Sequence, residues 1–136
     1  MSCNWSEHGF GLVLNSEEAD AFAKEVYACL DPDLDPEDMS VWLVPETLEK
    51  ELPDTCIRYY DDEMDGKTFH SWDGECDMEP DGMLVFWAEK APDAFKAAYT
   101  GIDEAVAEFR EKVGKYLPGN FNYPAHIGYF SCCVYC

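Results

Sequence analysis

Positive charge is scarce in this chain. Nine lysines and arginines stand against 29 aspartates and glutamates, giving a net charge of −20 and a pI near 4.1. Affinity for DNA or RNA comes from cationic side chains that displace counterions from phosphates. Direct nucleic-acid binding is therefore not expected, and neither is adhesion to an anionic membrane. No run of about 18 apolar residues exists, so no membrane-spanning helix is expected. Residues 1–10 carry Glu7 and no basic stretch, unlike a secretory signal. The expected compartment is the cytoplasm, where thiols stay reduced. Seven cysteines, odd in number and scattered, read mostly as small buried hydrophobes.

Catalytic and cofactor motifs are missing as well. His8, His70 and His126 are the three histidines, and none lies in a nucleophile elbow. No glycine-rich phosphate cradle occurs. Two segments, Asp61-x-Glu63-x-Asp65-Gly66 and Asp77-x-Glu79-x-Asp81-Gly82, open like calcium loops. The bidentate glutamate required at the twelfth position is replaced by Trp72 and Ala88. The stretch from Asp31 fails too, with Pro36 at the glycine position and Trp42 at the end. Cys133-x-x-Cys136 has zinc-ligand spacing, but a structural site needs four ligands and no second such pair exists. Only Cys3 or Cys132 could extend it, if the terminal strands are neighbours. These absences predict a non-enzyme with no cofactor and no metal.

What is present is a folded chain. Its 136 residues are 47% hydrophobic and 15% aromatic, too apolar for disorder and right for one domain, 1–136. Residues 9–14 read as a short strand. Asn15 and Glu18 then form a capping box, and Ala19, Phe22, Ala23, Val26 and Leu30 give a helical stripe ending before Pro32. Residues 31–38 read as an acidic loop with a helical turn from Pro36. Ser40–Val44 reads as a strand, and Pro45 opens a short helix through Leu52. Asp-Gly pairs at 65–66, 73–74 and 81–82 predict tight hairpin turns between strands near 56–63, 67–73 and 83–89, a meander. Residues 83–88 are apolar on both alternations and should be covered on both faces. Pro92 opens the main helix, whose stripe runs from Phe95 to Leu117 with Thr100-Gly101 able to split it. Residues 126–135 form a last strand. The expected class is α+β: one mostly antiparallel sheet of five to six strands, with two main helices on one face.

The charge is concentrated. Residues 31–82 hold 18 acids and 3 bases, a net −15, whereas residues 83–136 hold 6 acids and 5 bases. Acids alternate at Asp73, Glu75, Asp77, Glu79 and Asp81, again at Asp61, Glu63 and Asp65 beside Asp62, and again from Asp31 to Glu37. In extended chain, alternate side chains lie on one side about 6.5–7 Å apart, so five carboxylates span on the order of 25 Å. A nucleic-acid strand is likewise a line of regularly spaced anions. Aromatic residues interleave with this segment: Tyr59, Tyr60, Phe69 and Trp72, with Trp42 just before. Trp72, beside an Asp-Gly turn, is the one expected to be exposed as an anchor.

The expected partner-binding residues are accordingly Asp61, Asp62, Glu63, Asp65, Trp72, Asp73, Glu75, Asp77, Glu79 and Asp81. The expected function is inhibition of a basic, nucleic-acid-binding protein, an effector or nuclease, by occupying its nucleic-acid surface. In size and charge the chain is similar to the small acidic proteins that phages and mobile elements use against CRISPR or restriction machinery. The rival reading is an immunity protein or antitoxin neutralising a basic toxin. A third is an enzyme whose metal is held by carboxylates.

Overall fold

The chain enters its first helix through the capping box that the Asn15–Glu18 spacing predicts. The Glu18 amide donates to Asn15 Oδ1 at 2.9 Å, and the Asn15 amide donates to Glu18 Oε1 at 3.0 Å. In the computed structural model, which describes residues 4–61, 63–64, 66–74, 76–88 and 101–135, this cap joins strand β1 (Asn4–Asn15) to helix α1 (Ser16–Leu30). Two 3-10 turns, Pro36–Asp38 and Val41–Leu43, lead to a short helix α2 (Val44–Leu48). Strands β2 (Ile57–Tyr60), β3 (Thr68–Ser71), β4 (Asp77–Met78) and β5 (Met83–Trp87) follow. Helix α3 (Gly101–Val113) runs into a 3-10 turn, and α4 (Tyr123–His126) precedes β6 (Ile127–Tyr135).

All described strand pairs are antiparallel, in the order β2-β5-β1-β6-β3-β4. The α+β expectation holds. Both main helices pack on one face, where Phe22, Val26, Phe109 and Val113 meet Leu12, Leu14, Leu84, Phe86 and Ile127. Alternation sends Val13, Met83, Val85 and Phe130 to the opposite face, where they join Tyr60, Phe69 and Cys132 in a second core. β5 is thus covered on both faces, as its unbroken apolar run predicts.

The second face is not flat. Four strand spacings separate β4 from β5, about 19 Å in a flat sheet. Residues 79–82 would have to be fully stretched to reach that far. The sheet therefore coils and draws its edges together over the second core. The Tyr60 hydroxyl, on edge strand β2, accordingly donates to Glu7 Oε2 of β1 at 2.6 Å. Glycine permits the close approach at the centre of the curl: a Cβ on Gly9 would lie 2.5 Å from Trp87 Nε1. The Trp87 ring instead meets the Phe130 ring edge-on across β1, with centroids 4.7 Å apart.

Several expectations need correction. Ser40–Val44 is not a strand, because Ser40 Oγ accepts the Trp42 amide at 3.2 Å and the Ser40 carbonyl accepts the Leu43 amide. Such local partners compete with a sheet ladder. The meander does not form either: β3 pairs with β4 and β6, and β2 pairs with β5. Of the three Asp-Gly pairs, only Asp73-Gly74 closes a hairpin, with Gly74 at φ 74°. Cys29 and Cys56 are exposed rather than buried. The last helix tightens into a 3-10 turn at Gly114, before Leu117. Its expected first turns, residues 92–100, lie outside the described residues.

Candidate interaction surface

Two stretches carry most of the negative charge, and they are built differently. The first, residues 61–81, contains β3 and β4, and the parts flanking β3, around Met64 and from Cys76 to Asp81, form a lid over the second core. Its inward side chains are Met64, Cys76 and Met78, each half-buried against that core. Its outward side chains are acids: Asp77, Glu79 and Asp81 alternate with Cys76, Met78 and Pro80, and all three are exposed. The acidic alternation is thus the outer half of an amphipathic, period-two segment. The apolar even positions Cys76 and Met78 are the signal in the sequence that points to such a lid, and a reading of the acids alone passes over them. Lys67 is buried beneath, and its Nζ donates to the Met64 carbonyl.

The expected partner-binding residues divide accordingly. Glu63, Asp73, Asp77, Glu79 and Asp81 are exposed. Asp61 is buried, and its carboxylate accepts the Glu63 amide at 3.2 Å, an Asx turn that shapes the lid. Asp73 accepts the Ser71 hydroxyl at 2.9 Å, and the Ser71 oxygen in turn accepts the Cys76 amide at 2.8 Å. Asp77 Oδ1 lies 2.9 Å from His70 Nδ1. Asp62, Asp65 and Glu75 lie outside the described residues. Trp72 is the clear correction. It is half-buried, its ring packs edge-on against Phe10 with centroids 5.8 Å apart, and its amide donates to the Ile127 carbonyl. It closes one end of the helical-face core.

The second stretch is the lobe of residues 31–51, with eight acids and one base, Lys50. All eight carboxylates are exposed. Asp31, Asp33, Asp35 and Glu37 alternate in sequence, but they lie on turns and not on a strand, and the other four sit on turns and on α2. Between them the Val41–Leu43 turn lifts Trp42 and Leu43 into solvent, 56% and 48% exposed. Among the described residues, Tyr129 is the one other exposed large apolar side chain, and it packs edge-on against Phe10. Trp42 leans edge-on against Tyr59, with centroids 5.1 Å apart.

Elsewhere, a few titratable groups are tied into structure. His126 Nε2 meets Glu18 Oε2 at 2.5 Å, and its Nδ1 lies 2.7 Å from the Asn122 carbonyl. Burial pushes the histidine pKa down, but hydrogen bonds to Glu18 and Asn122, with the charges of Glu18 and Asp73, leave it raised above its ordinary value. Burial likewise pushes Glu18 up. The His126 bond, the Asn15 amide and the His126 charge outweigh this and hold it below the usual range. Tyr60 is raised strongly by burial and by its bond to Glu7. Burial also raises the Cys76 and Cys132 thiols, which keeps them protonated. A groove of about 610 Å³ between α3 and the 51–52 turn is lined by Glu104, Glu108, Glu111, Lys112 and Lys115, with Lys112 paired to Glu108 at 3.1 Å. No group of three or more His, Cys, Asp or Glu suited to a metal occurs among the described residues. Of the Cys133-x-x-Cys136 pair, Cys136 lies outside them. Among them, too, no helix is long and apolar enough to cross a membrane.

No protein-family model matches the chain, and neither does any curated protein or solved structure. The functional reading therefore rests on this surface alone.

Proposed function

We propose that the protein binds a basic, nucleic-acid-binding protein and inhibits it by covering its nucleic-acid surface. The observation that supports this reading most is the outward row of Asp77, Glu79 and Asp81 on a lid whose opposite side is anchored in a core. A folded body that holds a row of exposed carboxylates outward presents a charge pattern that a nucleic-acid-binding groove already accepts. Holding like charges in place costs self-repulsion, which a cationic partner relieves. Such a contact steers association more than it deepens affinity, because surface charges mainly set the on-rate.

The test begins with recovery of the partner from host lysate and continues with purified components. The protein alone should bind neither DNA nor RNA, and should displace nucleic acid from its partner. Affinity should fall at least tenfold between roughly 50 and 500 mM NaCl as screening shortens to a few Å. Neutralising Asp73, Asp77, Glu79 and Asp81 together should weaken binding more than neutralising Glu104, Glu108 and Glu111, whose neighbours Arg110, Lys112 and Lys115 nearly cancel them. A ternary complex with nucleic acid undisplaced, or affinity indifferent to salt, overturns the proposal.

A further inference from the structure

The lobe carries something the lid lacks, a pair of adjacent large apolar side chains that are largely exposed, Trp42 touching Tyr59 with one edge. Val41 and Val44 on either side are buried in the core and fix the turn. Ser40 caps it through Oγ, while the Tyr27 hydroxyl donates to the Ser40 carbonyl at 2.6 Å. The backbone that carries Trp42 and Leu43 is therefore fixed with both side chains outward, so a partner has less chain entropy to overcome on binding. Trp42 and Leu43 are neighbouring exposed large apolar side chains, and tryptophan is enriched among binding hot spots. The rim decides what they contact. Asp33, Asp35, Glu37, Asp38, Glu46 and Glu49 are all exposed around the turn in sequence, so a second copy of this chain would bring like charges together. An arginine-bearing surface suits both features, since guanidinium stacks on indole and pairs with carboxylates.

We propose that Trp42 and Leu43, backed by Tyr59, are the apolar anchor by which the lobe docks on a basic partner surface that presents arginine beside aliphatic side chains. The inference rests on the reading above that the partner is basic, and it places the anchor at Trp42 instead of Trp72.

Two synthetic 15-residue peptides with equal numbers of arginines separate the two claims, one filled with leucine and the other with serine. Binding is measured by fluorescence anisotropy at 50 and 300 mM NaCl, with melting temperatures in parallel. The wild-type protein should bind the arginine–leucine peptide at least tenfold tighter than the arginine–serine peptide. Trp42→Ala with Leu43→Ser should abolish that preference while leaving the weak, salt-sensitive binding of the serine peptide. Leu43→Ser alone, which keeps the Trp42–Tyr59 contact, should lose about half of the preference on a logarithmic scale and guards against misfolding of the double variant. Equal binding of both peptides by the wild type, or a preference that survives in the folded double variant, overturns the anchor and leaves the electrostatic reading standing. Failure of both peptides to bind at 50 mM NaCl overturns the electrostatic reading itself. Sedimentation that shows self-association lost in the double variant overturns the choice of partner, because the pair would then bind a second copy.

Discussion

The lid and the lobe are similarly acidic, yet their charge has different causes. In the lid, acids occupy one side of a covering segment whose other side, Cys76 and Met78, packs on the second core. Part of their patterning would exist with no partner at all, because a segment lying over a core must alternate. Asp61 and Asp73 even serve the backbone directly or through Ser71. In the lobe, where no strand forms, all eight carboxylates are exposed on turns and on α2. There the feature that folding explains least is apolar: Trp42, which meets Tyr59 edge-on, and Leu43 are exposed on a turn that is otherwise well fastened. Charge pattern is the weaker guide to contact where folding explains it, and exposed apolar area is the stronger guide where folding does not.

The sharpest way to break this comparison is to undermine the lid from below. Phe69 is fully buried and lies opposite Met78 on β4 and Phe130 on β6. Phe69→Ala removes a core aromatic and should cost about 3–5 kcal/mol of stability, a large part of what a domain this size has. Native-state hydrogen exchange should show lid amides losing protection well ahead of those in α2. If lid and lobe lose protection together, they are one cooperative unit and the contrast drawn between them fails.

A smaller effect is expected from the two tryptophans taken as a pair. Trp72 packs on Phe10 at the end of the helical-face core, so Trp72→Ala should lower stability by about 2 kcal/mol, less than a fully buried aromatic. Trp42→Ala should change the melting temperature little, because surface substitutions usually stay within about 0.5 kcal/mol. Thermal melts of the two variants settle the assignment. A stable Trp72→Ala beside a destabilised Trp42→Ala would exchange the roles of lid and lobe.

Local signals in the sequence proved more legible than long-range ones. The capping box at Asn15 and Glu18, the helical stripe of α1 and the two-sided burial of β5 all follow from spacing within a few residues. Strand pairing did not, because the crossings from β2 to β3 and from β4 to β5 depend on a curled sheet, which no short window encodes. The Asp-Gly pairs misled for the same reason: each permits a tight turn, but only 73–74 joins strands that pair. Ser40–Val44 looked like a strand because valine favours sheets, yet Ser40 supplied caps within the segment. Trp72 was misplaced because a neighbouring turn says nothing about which face a side chain takes. In the candidate site, the exposure of Glu63, Asp73, Asp77, Glu79 and Asp81 was legible from charge alone. The exposure of Trp42 and Leu43 was not, since apolar residues in a short run read as core.

The smallest effect expected concerns a tie between the lid and the first core. His126, at the end of α4, bonds Glu18 in the cap of α1, and Asp73 of the lid adds its charge. The folded pKa of His126 is raised above 6.5, so its contribution is fully present below pH 6.5 and is lost as pH rises through the folded value. The folded pKa of Glu18 is lowered below 4.5, so its contribution is present above pH 4.5 and is lost as pH falls through the folded value. The pair should therefore stabilise most between about pH 4.5 and 6.5 and fade on the alkaline side through the histidine. His126→Gln should remove that alkaline decline from urea melts taken between pH 5 and 9. Asp73→Asn should lower the His126 titration midpoint slightly, read from its ring-proton shift by NMR, whereas Asp33→Asn in the lobe should leave it in place. Equal shifts from both substitutions would mean that His126 senses net charge and not the lid, and the electrostatic distinction between the two acidic regions would not extend to the core.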